Sequence, residues 1–524
     1  MSRDYKFIGN VVDGVLIGDN RTPSPRYVWV LGKRDDVVLG DFVKIVDKAR
    51  NIEFIGYISE ILPKSKYGLP RETALRSIDQ ERGVVDVAEF VKDPVLFLKI
   101  TVLKIHNKNN GALGDPIMPI MVGLPVYSLD DELTQKTLGM EQDPNVSIHI
   151  GSLYIRQNIP VYLNPLHVIN HVGIWGIQGS GKSETATVLI EELTKPKLNW
   201  AVVLFDLHGE YKDINQPKKT GDQGLKVNLL TPGDNLKLEI PCLLEPDETK
   251  ELLTNAVLIA DERNPLSDQG IALLRAAYDN LIQNPPVSWK GSRCPPTPDQ
   301  FFEDLMNKVE NVGGRLSYYS QTIGAIKRRL DIINDPGLWG GILSIKDVVL
   351  PGFVTLIDLS KYVTRRLIGS KFDVPGKILF AEFLRRLFKA KLNGEINAKY
   401  VAVVIDEAGE FFPPEGSILS ELGLGMIRQV RKFGIGMVII AQSPGYVHPD
   451  IVKQIKTHII FRTAGRDLDE LRRHVGAEPE VFEDLKTLND MVTYIYGQAT
   501  KNTPIKVRVR EPRVRHRKFL EMFE

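Results

Sequence analysis

The 524-residue sequence predicts an α/β protein: a parallel-sheet core that carries a phosphate loop, an N-terminal β-barrel and a helical insertion. Three observations lead there. From about residue 161, apolar strands alternate with helical stretches, which is the pattern of a parallel sheet. Before that point, short strands follow one another between turns without a long helix, which is the pattern of a small barrel. Between 245 and 345 the alternation gives way to helices alone.

In order, the barrel strands are read in "YVWVLGK", "DVVLGDFVKIVD", "IEFIGYISEIL" and "LFLKITVLKI", separated by "RTPSP", "GD" and "NKNNG". The charged "LPRETALRSIDQERG" interrupts them as a loop or short helix. The core begins with "HVGIWGI", a helix over 182–194 and the strand "WAVVLFDLHGEY". It resumes with "FVTLIDLS", "YVAVVIDEA", "GIGMVIIAQSP" and "THIIFRT". Helices are expected in "ETKELLTNAVLIADE" and "QTIGAIKRRLDIIND", with the Pro-rich "NPPVSWKGSRCPPTPDQ" between them. The expected division is therefore a barrel over 1–160, a core over 161–244 and 346–500, an insertion over 245–345 and a basic tail over 501–524.

Composition excludes several classes. Hydrophobic residues make up 43%, enough for full-sized cores and too many for a disordered chain. No apolar run reaches the roughly 18–20 residues of a membrane helix, and the N-terminus has no apolar signal segment. Cys242 and Cys294 are too few for a disulfide framework and suit a reducing cytoplasm, the expected location. A net charge of +1 means that any surface for nucleic acid is a local patch or a channel.

The chemistry centres on "GIQGSGKS", Gly176 to Ser183, which fits G-x-x-x-x-G-K-[ST] with a strand before and a helix after. Gly176, Gly179, Ser180 and Gly181 let backbone N–H groups curl around phosphates, and Glu184 follows on the helix. Lys182 would reach the β- and γ-phosphates of ATP, and the Ser183 hydroxyl would bind Mg2+. "VAVVIDEA" sets Asp406 and Glu407 at the carboxyl end of a buried strand. Asp406 would hold Mg2+ through water, and Glu407 would be the general base for the attacking water. Gln442, at the end of "MVIIAQ", can touch the γ-phosphate or that water, or is an ordinary strand-end amide. Asp206, His208 and Glu210 form either a polar cluster beside the site or a plain cap. Arg428 and Arg431 lie three apart on a helix face; with Arg462 and Arg466 they are candidates to enter a neighbouring subunit's site.

These motifs resemble the HerA family, hexameric DNA translocases of the FtsK–HerA branch of RecA-like ATPases. The residues that carry the resemblance are "VLGDFVKI", "WGIQGSGKSETA", "FDLHGEY", "VVIDEAGEFFP" and "RQVRKFGIGMVIIAQSP". The resemblance implies a RecA-like P-loop ATPase core, a HAS-barrel, and a homo-hexameric ring around double-stranded DNA. It also implies ATP and Mg2+ as cofactors, and a NurA-type nuclease as partner in DNA end resection. Lys182, Ser183, Asp406, Glu407 and Gln442 match the family's motif positions, and Arg431 stands at its "RKFG" arginine. Where the family commonly reads S-Q-R-P, this chain has Ala441-Gln442-Ser443-Pro444 and so lacks that arginine. Related readings are a ring serving a defence nuclease and a conjugation or protein-translocation motor; a ring scaffold without catalysis fits poorly with an intact Lys182 and Glu407.

A translocase must hold the DNA backbone without reading sequence. The loop after "FVTLIDLS", with Lys361, Arg365, Arg366 and Lys371, is the first candidate, and the loop with Lys212, Lys218 and Lys219 the second. In the tail, Lys506, Arg508 and Arg510 alternate with Ile505, Val507 and Val509 as in a strand. Their partner would be DNA, an acidic neighbouring subunit or solvent at a charged sheet edge.

Overall fold

In a computed structural model, which describes residues 6–13, 27–32, 37–64, 95–140, 143–262, 264–362, 373–476 and 479–517, the first strands curl into a closed barrel. They are β1 (Phe7–Asp13), β2 (Tyr27–Gly32), β3 (Phe42–Asp47), β4 (Ile52–Lys64), β5 (Val95–Asn107), β6 (Ala112–Gly114) and β7 (Pro125–Ser128). The order is β2-β1-β7-β3-β4-β5, closed by an antiparallel β2–β5 pairing, and β6 adds to β5 outside the ring. Alternate residues such as Val28 and Val30, Val43 and Ile45, or Leu98 and Ile100 fill the interior, as closure of a two-faced sheet requires. At Gly56 the strand bulges toward β5; a Cβ there would meet the Thr101 carbonyl oxygen at 2.3 Å. The four strands expected from sequence correspond to β2–β5. Strands β1 and β7 carry Gly, Asn and Pro, which weaken a strand signal, yet they complete the ring. The charged segment 69–83 lies outside the described residues.

The chain divides into two compact units. The first comprises Met1–Glu141, Ser152–Val161 and Thr500–Lys506, and the second Gln142–Gly151, Tyr162–Ala499 and Val507–Glu524. The second sheet is built from β8 (Ile148–Leu153), β9 (Pro160–Leu163), β10 (Val172–Trp175), β11 (Trp200–Asp206), β12 (Lys226–Leu230), β13 (Phe353–Asp358), β14 (Tyr400–Ile405), β15 (Ile435–Ala441), β16 (Thr457–Ile460), β17 (Val492–Gly497) and β18 (Ile505–Val509). Its order is β12-β13-β11-β14-β15-β10-β16-β17-β18-β8-β9. The pairings from β12 to β16 are parallel. Every residue of β11 and β15 is buried, which explains their unbroken apolar sequences. Parallel pairing also brings the carboxyl ends of these strands to one edge, where a ligand crevice forms.

Among the described residues, four α-helices form the insertion: Pro246–Ala260 (α1), Asp268–Gln283 (α2), Pro298–Arg315 (α3) and Ser320–Ile333 (α4). Ser267 and Thr297 cap α2 and α3 through their side-chain oxygens, and Pro298 opens α3 where its missing N–H costs nothing. Phe301, Phe302 and Trp339 pack in aromatic contact beneath them. Cys242 and Cys294 are bonded to each other, tying the entry of the insertion to its Pro-rich loop. This corrects the inference drawn from cysteine content. The pair lies 52 residues apart in sequence and meets only through folding, and a bonded pair no longer argues for a reducing compartment. Among the described residues, no helix is long and apolar enough to cross a membrane.

Candidate nucleotide site

The phosphate loop leaves β10 at Gly176 and ends where helix α5 (Lys182–Leu193) begins. Gly176, Gly179 and Gly181 have φ of +154°, +75° and +115°, in the region that side chains rarely adopt. A Cβ on Gly176 would strike Phe461 at 2.6 Å, and one on Gly181 would meet Met491 Sδ at 2.9 Å. Ser180 is buried and donates to the Ile177 carbonyl. The Lys182 ammonium lies back across the loop, donating to the carbonyls of Gly176 (2.8 Å) and Ile177 (3.1 Å). Burial lowers its pKa, opposed by Glu407, Asp406, Glu210 and Glu184.

Asp406 and Glu407 follow β14, which is separated from β10 by β15 alone. Burial pushes the Asp406 carboxyl well above its usual range, and Glu407, Asp206 and Glu210 push it further. Glu407 holds φ of +48°, and its N–H donates to Asp406 Oδ1. Gln442 directly follows β15; its carbonyl accepts from the Gly176 N–H at 3.0 Å, which links strand end and phosphate loop directly. An open cavity of about 1070 Å3 beside them is lined by Glu407, Gln442, Glu410 and, from the insertion, Asp261 and Glu262.

Asp206 is a cap: its carboxylate accepts the N–H groups of His208, Gly209, Glu210 and Tyr211. Burial still pushes it up to about 6. The turn it winds also returns Glu210 and Tyr211 to the site, so capping and clustering are one arrangement. Among the described residues, no group of three His, Cys, Asp or Glu side chains gathers as a metal site by itself. The residues nevertheless fit Mg2+ carried by a nucleotide. Asp406 is buried and crowded by other carboxylates, Ser183 stands in the first turn of α5 beside Lys182, and Mg2+ takes much of its shell from phosphate and water.

The arginines are dispersed. Arg431 is exposed and near His171, at the amino end of the sheet. The length of β15, about 20 Å, separates it from its own phosphate loop. It lies in a 3-10 turn (Val430–Phe433) beyond helix α6 (Ile418–Gln429), which corrects the expectation that Arg428 and Arg431 share one helix face. Arg428 and Arg466 are exposed. Arg462 lies beside its own loop, its carbonyl accepting from Ile177 and its guanidinium 3.0 Å from Asp490.

Of the basic loops, Lys361 is exposed, while Arg365, Arg366 and Lys371 lie outside the described residues. Lys212 is paired with Asp358 at 2.9 Å, and Lys218 with Glu511 at 3.3 Å. The tail is an inner strand: β18 lies between β17 and β8 with Ile505, Val507 and Val509 buried. Beyond it, Arg510 pairs with Glu191 (2.7 Å) and Glu192 (2.9 Å), buried on α5, and Arg513 joins Glu192 at 3.2 Å. The tail therefore braces the phosphate-loop helix of its own chain rather than forming a charged sheet edge. Sequence reasoning missed Tyr211, Glu191 and Glu192; the acids look like any charged helix positions until their partners meet them from more than three hundred residues away.

A phosphate loop, a carboxylate pair across one strand and a mainly parallel sheet define a RecA-like P-loop ATPase. The family model described as "Helicase HerA, central domain" matches residues 148–366. A Methanocaldococcus jannaschii protein described as a "Probable helicase" is 32% identical over 512 residues, 94% of this chain and 89% of that one. The "DNA double-strand break repair helicase HerA" of Pyrococcus furiosus is 26% identical over 438 residues, 75% of this chain and 74% of that one. The chain belongs to the HerA helicase family. Among solved structures, VirB4 of Thermoanaerobacter pseudethanolicus has a TM-score of 0.51 at 15% identity, covering 71% of this chain and 98% of its own. Plasmid coupling protein TrwB in complex with ADP and Mg2+ has 0.52 at 14%, covering 74% and 94%. Both share the fold.

Proposed function

We propose that this chain is an ATP-driven double-stranded DNA translocase, working as a cytoplasmic homo-hexameric ring in DNA end processing beside a NurA-type nuclease. One observation carries the reading: Lys182, Ser183, Asp406, Glu407 and Gln442 converge at one sheet edge, in a family whose relatives are named as DNA break repair helicases. On ATP binding, Lys182 leaves the carbonyls of Gly176 and Ile177 for the β- and γ-phosphates. Ser183 and Asp406 would hold Mg2+, which would neutralise charge on the phosphates. Glu407 takes the proton of the attacking water, and Gln442 passes the state of the γ-phosphate to β15. Arg431, too far from its own site, serves the next subunit's. Lys361, Arg365, Arg366 and Lys371 grip the DNA backbone.

DNA-stimulated ATP hydrolysis by the purified chain tests the reading. Stimulation should be blind to sequence and fall steeply with salt. Glu407→Gln should bind ATP and lose at least about a hundredfold in turnover, the scale of a lost general base. Hydrolysis indifferent to DNA, or a normal rate in Glu407→Gln, defeats it. For Arg431, mixing Arg431→Ala with Glu407→Gln subunits should restore part of the activity; a dead mixture with subunit exchange confirmed by native mass spectrometry removes Arg431 from the site.

A further inference from the structure

Tyr211 is fully buried, and its hydroxyl makes no hydrogen bond of ordinary length and angle, although the Ser183 side chain lies close enough to interact with it. Burial of a hydroxyl without a well-formed hydrogen bond is unfavourable, and phenylalanine would fill the same volume without that cost. The residue is not at a casual position. Asp206 gathers four consecutive N–H groups and so turns the chain that Tyr211 returns to the site, and the Tyr211 N–H itself binds Asp206 Oδ2 at 3.0 Å. The Ser183 side chain is the hydrogen-bonding group within reach of the hydroxyl, and the charges of Asp406, Glu210 and Asp206 act on it as well. Ser183 stands in the first turn of α5, the residue after Lys182. A phenol is a donor, whereas a serine that offers a lone pair to a cation must be oriented by something else.

We propose that Tyr211 is a positioning residue. When the site holds a nucleotide with its divalent cation, the Tyr211 hydroxyl donates to Ser183 Oγ and fixes the lone pair that the cation uses. The residue acts through Ser183 and touches neither phosphate nor attacking water. Partners one step removed from a metal govern its affinity in this way, and their loss commonly costs about tenfold or more. The proposal rests on the reading of this site as a Mg2+–nucleotide site.

The test is binding of a fluorescent ADP by the full chain, titrated with Mg2+ and repeated in EDTA. The parent protein should bind more tightly with Mg2+; if it does not, the Mg2+–nucleotide reading fails first. Given that dependence, Tyr211→Phe should leave affinity in EDTA unchanged and raise the half-saturating Mg2+ concentration about tenfold. Adding Tyr211→Phe to Ser183→Ala should shift Mg2+ no further, because the hydroxyl then has nothing to orient. An unchanged Mg2+ titration in Tyr211→Phe overturns the proposal, and so does an additive shift in the double variant. Failure of Tyr211→Phe to fold overturns it too, since a hydroxyl needed by the nucleotide-free fold is not held in reserve for the loaded site.

Discussion

Glu407 holds a left-handed backbone, φ +48°, two residues past the end of a strand buried along nearly its whole length. A residue with a Cβ loses about 1–2 kcal/mol there, and the surroundings must impose it. The Asp406 carboxylate does so in part by accepting the Glu407 N–H. Strain here aims a carboxylate at the cavity it shares with Gln442. Glu407→Gly should therefore raise stability by about 1 kcal/mol in urea unfolding while abolishing ATP turnover. A destabilised Glu407→Gly would show that the carboxylate, not the backbone, dominates at this position. Lys182, Ser183, Asp406 and Glu407 were legible because each is fixed by neighbours a few residues away. Tyr211 was not, because an aromatic after an acidic residue reads as ordinary core until its hydroxyl is seen to make no ordinary hydrogen bond.

At the scale of elements, α5 is the crossing point of two demands. Its first turn presents Lys182 and Ser183 to the nucleotide, and its last carries Glu191 and Glu192, which are buried. Glu191 accepts the N–H groups of Arg513 and Val514, and Glu192 accepts that of His149. Arg510→Met would leave these carboxylates short of their main cation and should cost about 3 kcal/mol in urea unfolding. Combining it with Glu192→Gln should recover much of that loss, because one buried charge leaves with its partner. Equal stability of Arg510→Met and the parent would show that Arg513 and Lys195, whose ammonium is 2.5 Å from Glu192, suffice. The alternation in "IKVRVR" was enough to forecast a strand. Its position inside the sheet was not forecast, because pairing order depends on β8, which lies in sequence far from the tail.

At the scale of the whole molecule, two histidines make stability depend on pH. His171 and His458 are buried neutral, each with its pKa lowered to about 4, burial being the larger cause. His458 Nδ1 accepts from Trp175, and His171 Nδ1 accepts from the Met437 N–H. Unfolded, both would take a proton near 6.5, so the unfolded state binds more protons between there and about 4, and stability falls as pH falls through that window. Asp206 works in the opposite sense over part of the range, being raised to about 6 in the fold. His458→Gln, which keeps an acceptor for Trp175, should lose about 3 kcal/mol less than the parent between pH 7 and pH 4, read from urea midpoints. Parallel pH profiles would show that His458 is not neutral in the fold. The fold class itself was readable across the whole chain because strand–helix alternation is a local pattern, whereas the disulfide and the tail's partners depend on contacts that only the folded chain makes. The bracing of α5 has a consequence for biogenesis. The arginines that neutralise Glu191 and Glu192 are translated more than three hundred residues after them, so during synthesis the phosphate loop emerges long before its support. A nascent chain already carries Lys182, Ser183, Asp406, Glu407 and Gln442 by residue 442, yet α5, which presents the first two, meets its bracing arginines only when Arg510 and Arg513 have been added. A product terminated before Arg510 would therefore carry the phosphate-loop helix without the arginines that face its two buried carboxylates.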